Sequence, residues 1–226
     1  MSDVYGVRPQ RKPENRVAAA FRYLGRSTIP ALALTASLAG AWQYGDLPVV
    51  IYDHNFTDAQ WYLRPSGWLT AGMLLLPLAY LALNLTGRRY GAGVAAGAAV
   101  LGSAVFAGLT FFLWANLPAA FAAHPLAHPI ALTFAAAFGI SLLAAVWLFD
   151  ITRGSAWWTA PFFAVVGAGV LFCLIFYPAA HAGGTVPWTG RMLLHMALMA
   201  ASAIVLLVPY WLCRPVIRPL PGYGGY

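Results

Sequence analysis

The sequence predicts an all-α polytopic membrane protein, a bundle of about six transmembrane helices with both termini cytoplasmic. Three observations predict it. Of the 226 residues, 61% are hydrophobic and only 8% are charged, whereas a soluble domain carries roughly 25% charge. The mean hydropathy is +0.71. The few charged residues stand at the ends of long apolar runs, and 11 of the 13 basic ones fall on one side of the apolar layer those runs define.

Each element follows from a charge-free interval. A helix crosses about 30 Å of hydrocarbon with roughly 20 residues. The intervals from Arg26 to Asp46 and from Arg64 to Arg88 hold one span each, and the 60 residues between Arg89 and Asp150 hold two. One more follows Arg153, and the last lies between Arg191 and Arg214. The predicted helices are 27–44, 66–86, 91–115, 128–149, 157–177 and 192–213. Residues 1–26 form a basic cytoplasmic tail, 27–213 the membrane domain and 214–226 a cytoplasmic tail whose Pro-Gly-Tyr end is disordered or partner-bound. Ser37-Leu38-Ala39 resembles a cleavage site, but the long basic tail ahead of it favours a retained anchor.

Sidedness follows from the loops. Arg8, Arg11, Lys12, Arg16, Arg22, Arg26, Arg88, Arg89, Arg153, Arg214 and Arg218 share one side, leaving Arg64 and Arg191 opposite. The positive-inside rule makes the arginine side cytoplasmic and the protein a multi-pass resident of the inner (cytoplasmic) membrane. The basic residues mark helix ends rather than a patch, so the +7 net charge implies membrane lipids and not nucleic acid as the partner. No acidic or basic residue lies well inside a predicted span. That argues against a proton pump, a cation-coupled transporter and a voltage sensor. The sole lysine, Lys12, lies in the tail, which excludes a retinal Schiff base, and Cys173 and Cys213 match no metal or redox spacing.

Glycines crowd the third predicted helix at 91, 93, 97, 102 and 108. Gly93-x-x-x-Gly97 predicts close backbone packing in a central helix, and a glycine-lined permeation path is the weaker alternative. Trp42, Trp61, Trp68, Trp114, Trp157, Trp158, Trp188 and Trp211 stand near span ends, as interfacial anchors do.

All five histidines fall on the arginine-poor side. Imidazole is the commonest metal ligand and titrates nearest neutral pH. Asp53, His54 and Asp58 in the first outer loop pair carboxylate with imidazole, a set that suits a transition metal, against the alternative of an ordinary solvated acidic loop. His124 and His128 are four apart, which would put both on one face of a helical turn, although Pro125 and Pro129 also fit a plain loop. His181 stands in the last outer loop. His195 lies in the last span, as a ligand or as a histidine hydrogen-bonded to a neighbour. A haem b could be held only by His128 with His195. No catalytic residue can be named from these patterns.

Two blocks carry a resemblance. Gly45-Asp46, then Phe56-Thr57-Asp58, then Pro77 and Arg88-Arg89 form the first. Ala164-Val165-Val166-Gly167-Ala168-Gly169 followed by Ile175-Phe176-Tyr177-Pro178 forms the second. Together they resemble the A-type chain of the copper membrane monooxygenase family, the particulate methane, ammonia and short-chain hydrocarbon monooxygenases. The chain departs from the bacterial members in its first loop, where Asp53-His54 and Ala59-Gln60 replace Asp-x-Asp and Lys-Asp-Arg-Arg. The resemblance implies a copper-dependent complex with two further subunits, of B and C type, commonly assembled as a trimer of heterotrimers. Copper would be bound mainly by those partners, and an inert C–H or N–H bond hydroxylated with O2. The residues by themselves leave two other readings open: a haem-b or quinol-reactive anchor of a respiratory enzyme, and a non-catalytic assembly or anchor protein.

Overall fold

The computed structural model describes residues 16–45, 47–50, 53, 69–116, 130–154, 156–181 and 188–220. These form five helices: α1 (Arg16–Gln43), α2 (Ala71–Asn116), α3 (Ile130–Ile151), α4 (Thr159–His181) and α5 (Trp188–Cys213). No strand occurs among the described residues, where an isolated antiparallel bridge between Pro48 and Thr70 is the one β-type contact. The described part of the chain is built of helices, and four stretches of it are long and apolar enough to cross a membrane: Ala71–Leu113 in α2, and all of α3, α4 and α5.

The six predicted runs map onto five elements for one reason. The predicted span 66–86, from Ala71 onward, and the predicted span 91–115 both lie in α2, which is interrupted at Gly91 (φ 82°, ψ 174°). That conformation is open essentially to glycine alone. A Cβ on Gly87 would lie 3.9 Å from the Ala95 Cβ, whereas eight residues of continuous helix would part them by about 12 Å. The chain therefore doubles back at Gly91, with a first limb, 71–90, and a second, 92–116.

The contacts of α1 show the same reversal. Gly72 of the first limb meets Ala41 and Gly45, so that limb runs antiparallel to α1. Gly97 meets Tyr23 and Ser27, and Gly102 meets Ala31 and Leu34, so the second limb runs parallel to it. Gly93 and Gly97 sit against the Tyr23 side chain, whose Oη donates to the Gly93 carbonyl, so their contact is with a ring rather than the predicted close backbone approach. Backbone comes close instead at Gly102, where a Cβ would lie 3.0 Å from the Ala31 carbonyl oxygen. Gly108 has open space around it. α2 packs on every other helix, as expected of a central element.

α1 begins at Arg16, well before the predicted start at 27, and is the one helix outside the set apolar enough to span. Its hydroxyls are accommodated locally. Ser27, Thr35 and Ser37 each donate to the carbonyl four residues back, which satisfies a polar side chain where water is scarce. Thr35 Oγ1 also reaches the Gly102 carbonyl at 3.1 Å, tying α1 to the second limb.

Along α3, α4 and α5 the neighbours alternate in direction. Leu148 meets Gly167, while Phe138 and Phe134 meet Phe172. Met199 seats on Gly169, with its Cβ 2.8 Å from where a glycine Cβ would stand. The interior is aromatic and small-residue rich, with Tyr80, Phe106, Phe138 and Phe172 almost fully enclosed. Tyr80 Oη lies 2.9 Å from Ser141 Oγ, pairing two polar groups across the core. Outside, Ile29, Leu32, Trp147, Ile204, Val205 and Val208 are exposed, the apolar coat a helix bundle presents to lipid.

One end of the bundle gathers arginines. Arg88 Nε donates to the Ile217 carbonyl at 3.2 Å, and an Arg153 guanidinium nitrogen donates to the Gly87 carbonyl at 3.2 Å. Arg214 stacks over Trp157 at 5.6 Å. The Leu220 amide donates to the Arg89 carbonyl at 3.0 Å. The described part of the C-terminal tail is therefore folded against the chain's own reversal rather than free.

Candidate functional site

At the opposite end the helices part around a cavity of about 420 Å³. Its walls come from α1 (Ala41, Trp42), the start of α2 (Gly72, Met73, Leu76), α3 (Ile130, Phe134), α4 and α5. Spacing explains which side chains of the last two helices meet there. Phe172 and Phe176, Tyr177 and His181, and Arg191 and His195 are pairs four apart, each stacked along one helix face. Met199 continues the α5 row and locks onto Gly169, which draws α5 against α4 and sets His195 beside Tyr177.

The walls are mostly rings. Phe134 contacts Trp42 at 5.4 Å, Phe172 at 5.6 Å and Phe176 at 5.5 Å between centroids. Phe172 and Phe176 stack at 5.3 Å. His195 is 3% exposed. Its ring stands edge-on to Phe172 at 5.7 Å and to Tyr177 at 5.9 Å. Tyr177 Oη lies 3.1 Å from His195 Nδ1, while Nε2 has no hydrogen-bond partner among the described residues. His181 is half-buried and Arg191 exposed. Among the described residues no carboxylate lines the cavity.

The close approach of α1 to α2 that forms one wall depends on Gly72. A Cβ there would fall 2.7 Å from the Gly45 Cα, a contact that no real side chain sustains. Backbone bonds from the Gly72 amide to the Tyr44 carbonyl (2.9 Å) and from the Ala71 amide to the Leu47 carbonyl (2.9 Å) fix the same junction.

Of the residues singled out by sequence, His195 is in the cavity, joined there by His181. Asp53 is described, its amide donating to the Val50 carbonyl at 3.0 Å. It continues the segment 47–50 that bridges to 69–70 at this end. His54, Asp58, His124 and His128 lie outside the described residues, so the metal sets built on them and the His128–His195 haem pair do too. Among the described residues no three His, Cys, Asp or Glu side chains come together as a metal site. The Tyr177 bond orients His195 as such bonds orient ligating imidazoles, and His181 is the second imidazole of the same cavity.

Sequence reasoning missed Tyr177 as the partner of His195, Trp42 as a wall rather than a mere interfacial anchor, and Arg191 as a cavity cation. The four-residue step from Arg191 to His195 was a readable signal. Nothing in the sequence marked the pairing of Tyr177 with His195 on a different helix. Comparison of the chain with protein-family models, with curated proteins and with solved structures gives no match.

Proposed function

We propose that this chain is the A-type membrane component of a copper-dependent monooxygenase complex hydroxylating a small apolar substrate or ammonia with O2. In this reading it crosses the cytoplasmic membrane six times, with α1 and both limbs of α2 as separate crossings and both termini in the cytoplasm. Two partner subunits hold most or all of the copper. The observation that supports it best is a convergence. Gly45 from the first family-like block and Phe176 and Tyr177 from the second line one cavity, although more than a hundred residues of chain separate them. The mostly aromatic wall suits the apolar body of a small substrate, because apolar molecules partition out of water.

The test is purification of the intact complex from its native membrane. Two co-purifying chains, one with soluble copper-binding domains, are expected, together with copper in the metal analysis and O2-dependent turnover abolished by a copper chelator. An intense Soret band with no copper would instead identify a haem-b anchor. Absence of both metals, with no co-purifying copper protein, would leave an assembly or anchor role. Simultaneous replacement of Asp53, His54 and Asp58 by alanine is expected to lower copper content or turnover. Unchanged copper, assembly and rate would remove that loop from the mechanism.

A further inference from the structure

The cavity holds a polar pair whose hydrogens do not balance. Tyr177 and a neutral His195 carry two hydrogen-bonding hydrogens between them, the phenolic O–H and one imidazole N–H. A single bond, Tyr177 Oη to His195 Nδ1, joins them. If the phenol donates, the imidazole hydrogen sits on Nε2, which has no partner among the described residues. If Nδ1–H donates, the phenolic hydrogen is left over instead. Among the described residues, either tautomer leaves one donor without an acceptor, at a site where burial makes that costly. Both side chains line the cavity.

The other polar groups there point to the same chemistry. Arg191 can only donate, and among the described residues no carboxylate competes for these hydrogens. Thr70 and His181 also line the cavity, and neither is hydrogen-bonded to the Tyr177–His195 couple; most of the remaining wall, with Trp42, Phe134, Phe172 and Phe176, is apolar. A carboxylate would lose its hydration beside those rings, a cost that the exposed and therefore screened Arg191 would offset only in part. A neutral carbonyl accepts a hydrogen bond without that penalty.

We propose that the cavity binds a ring-sized, apolar molecule bearing one neutral carbonyl oxygen, which accepts the unpaired hydrogen of the Tyr177–His195 couple. This goes beyond the monooxygenase reading and does not rest on it, because binding requires neither copper nor turnover.

The test uses the full chain as purified in detergent, with whatever partner chains accompany it. Benzophenone and diphenylmethane share a skeleton and differ by one carbonyl. Affinities are corrected for partition into empty micelles. Benzophenone is expected to bind about five-fold more tightly, the size of one net hydrogen bond. In the double variant Y177F/H195F the ratio is expected to fall to about one while diphenylmethane still binds, since only the hydrogen bond is gone. Irradiation of bound benzophenone in the wild-type protein should attach it to peptides of α4 and α5, a map that needs no variant to fold. Equal affinities in the wild type, an unchanged ratio in the double variant, or attachment confined to other helices would each overturn the proposal. So would tighter binding of diphenylacetate that is lost in R191Q, since that result makes the cavity an anion site.

Discussion

His195 and Tyr177 form a couple whose two members are worth more together than either alone. In H195F the Tyr177 hydroxyl is left buried without its partner, a loss of about 1–3 kcal/mol, whereas removal of both polar groups in Y177F/H195F is nearly neutral. Unfolding in mixed detergent micelles should therefore rank the double variant close to wild type and above H195F. An H195F protein as stable as the double variant would mean that the hydroxyl finds another acceptor. Only half of this couple was legible beforehand. The histidine stands out as a polar residue in an apolar run, and the sequence leaves open whether it is a ligand or hydrogen-bonded. Its partner lies on another helix, 18 positions earlier, and periodicity speaks only of residues on the same helix. Trp42 was hidden differently: a tryptophan at a helix end looks the same from sequence whether it faces headgroups or a chamber.

Two glycines govern the elements. Gly91 holds φ 82° and ψ 174°, where a Cβ costs about 1–3 kcal/mol. G91A is expected to lower unfolding stability by about 2 kcal/mol, more than any other alanine placed in the second limb away from a contact. Gly108, with nothing within 4 Å of its Cβ position, is the control, and G108A is expected to be neutral or up to about 1 kcal/mol stabilising. Gly72 acts by closeness instead. G72A forces the α1–α2 junction apart and is expected to cost about 1–3 kcal/mol, and to change the cavity that Gly45 and Gly72 share. Thermal or SDS-induced unfolding of the three variants side by side checks the order. The sequence placed these helices well because apolar runs between charges are a strong signal. It missed the nature of the join between its second and third spans. Arg88 and Arg89 read as a loop, but both belong to a helical limb that ends one residue later, at the turn.

Across the whole molecule, the arginine cluster at the reversal and the cavity histidines occupy opposite ends, in the pattern that charge bias alone predicted. Arg88 and Arg153 lie at the reversal end, while His181 and His195 line the far cavity. A background with Cys173 and Cys213 replaced by alanine allows single reporters to be read. An impermeant maleimide added to intact cells should label D53C and leave R218C untouched until the membrane is opened. Labelling of both, or of R218C alone, would refute the proposed topology.

The turn at Gly91 has a further consequence for how the chain is made. In the six-crossing reading, the corner leaves only Arg88-Arg89-Tyr90-Gly91 as polar chain between two apolar rods, too little to form a loop that separates them. In that reading the two rods are expected to enter lipid together, once the chain has been synthesised to the end of α2 at Asn116. Lengthening that corner with a few polar residues would let each rod insert independently, and would detach the arginine-bearing corner from the tail segment it anchors.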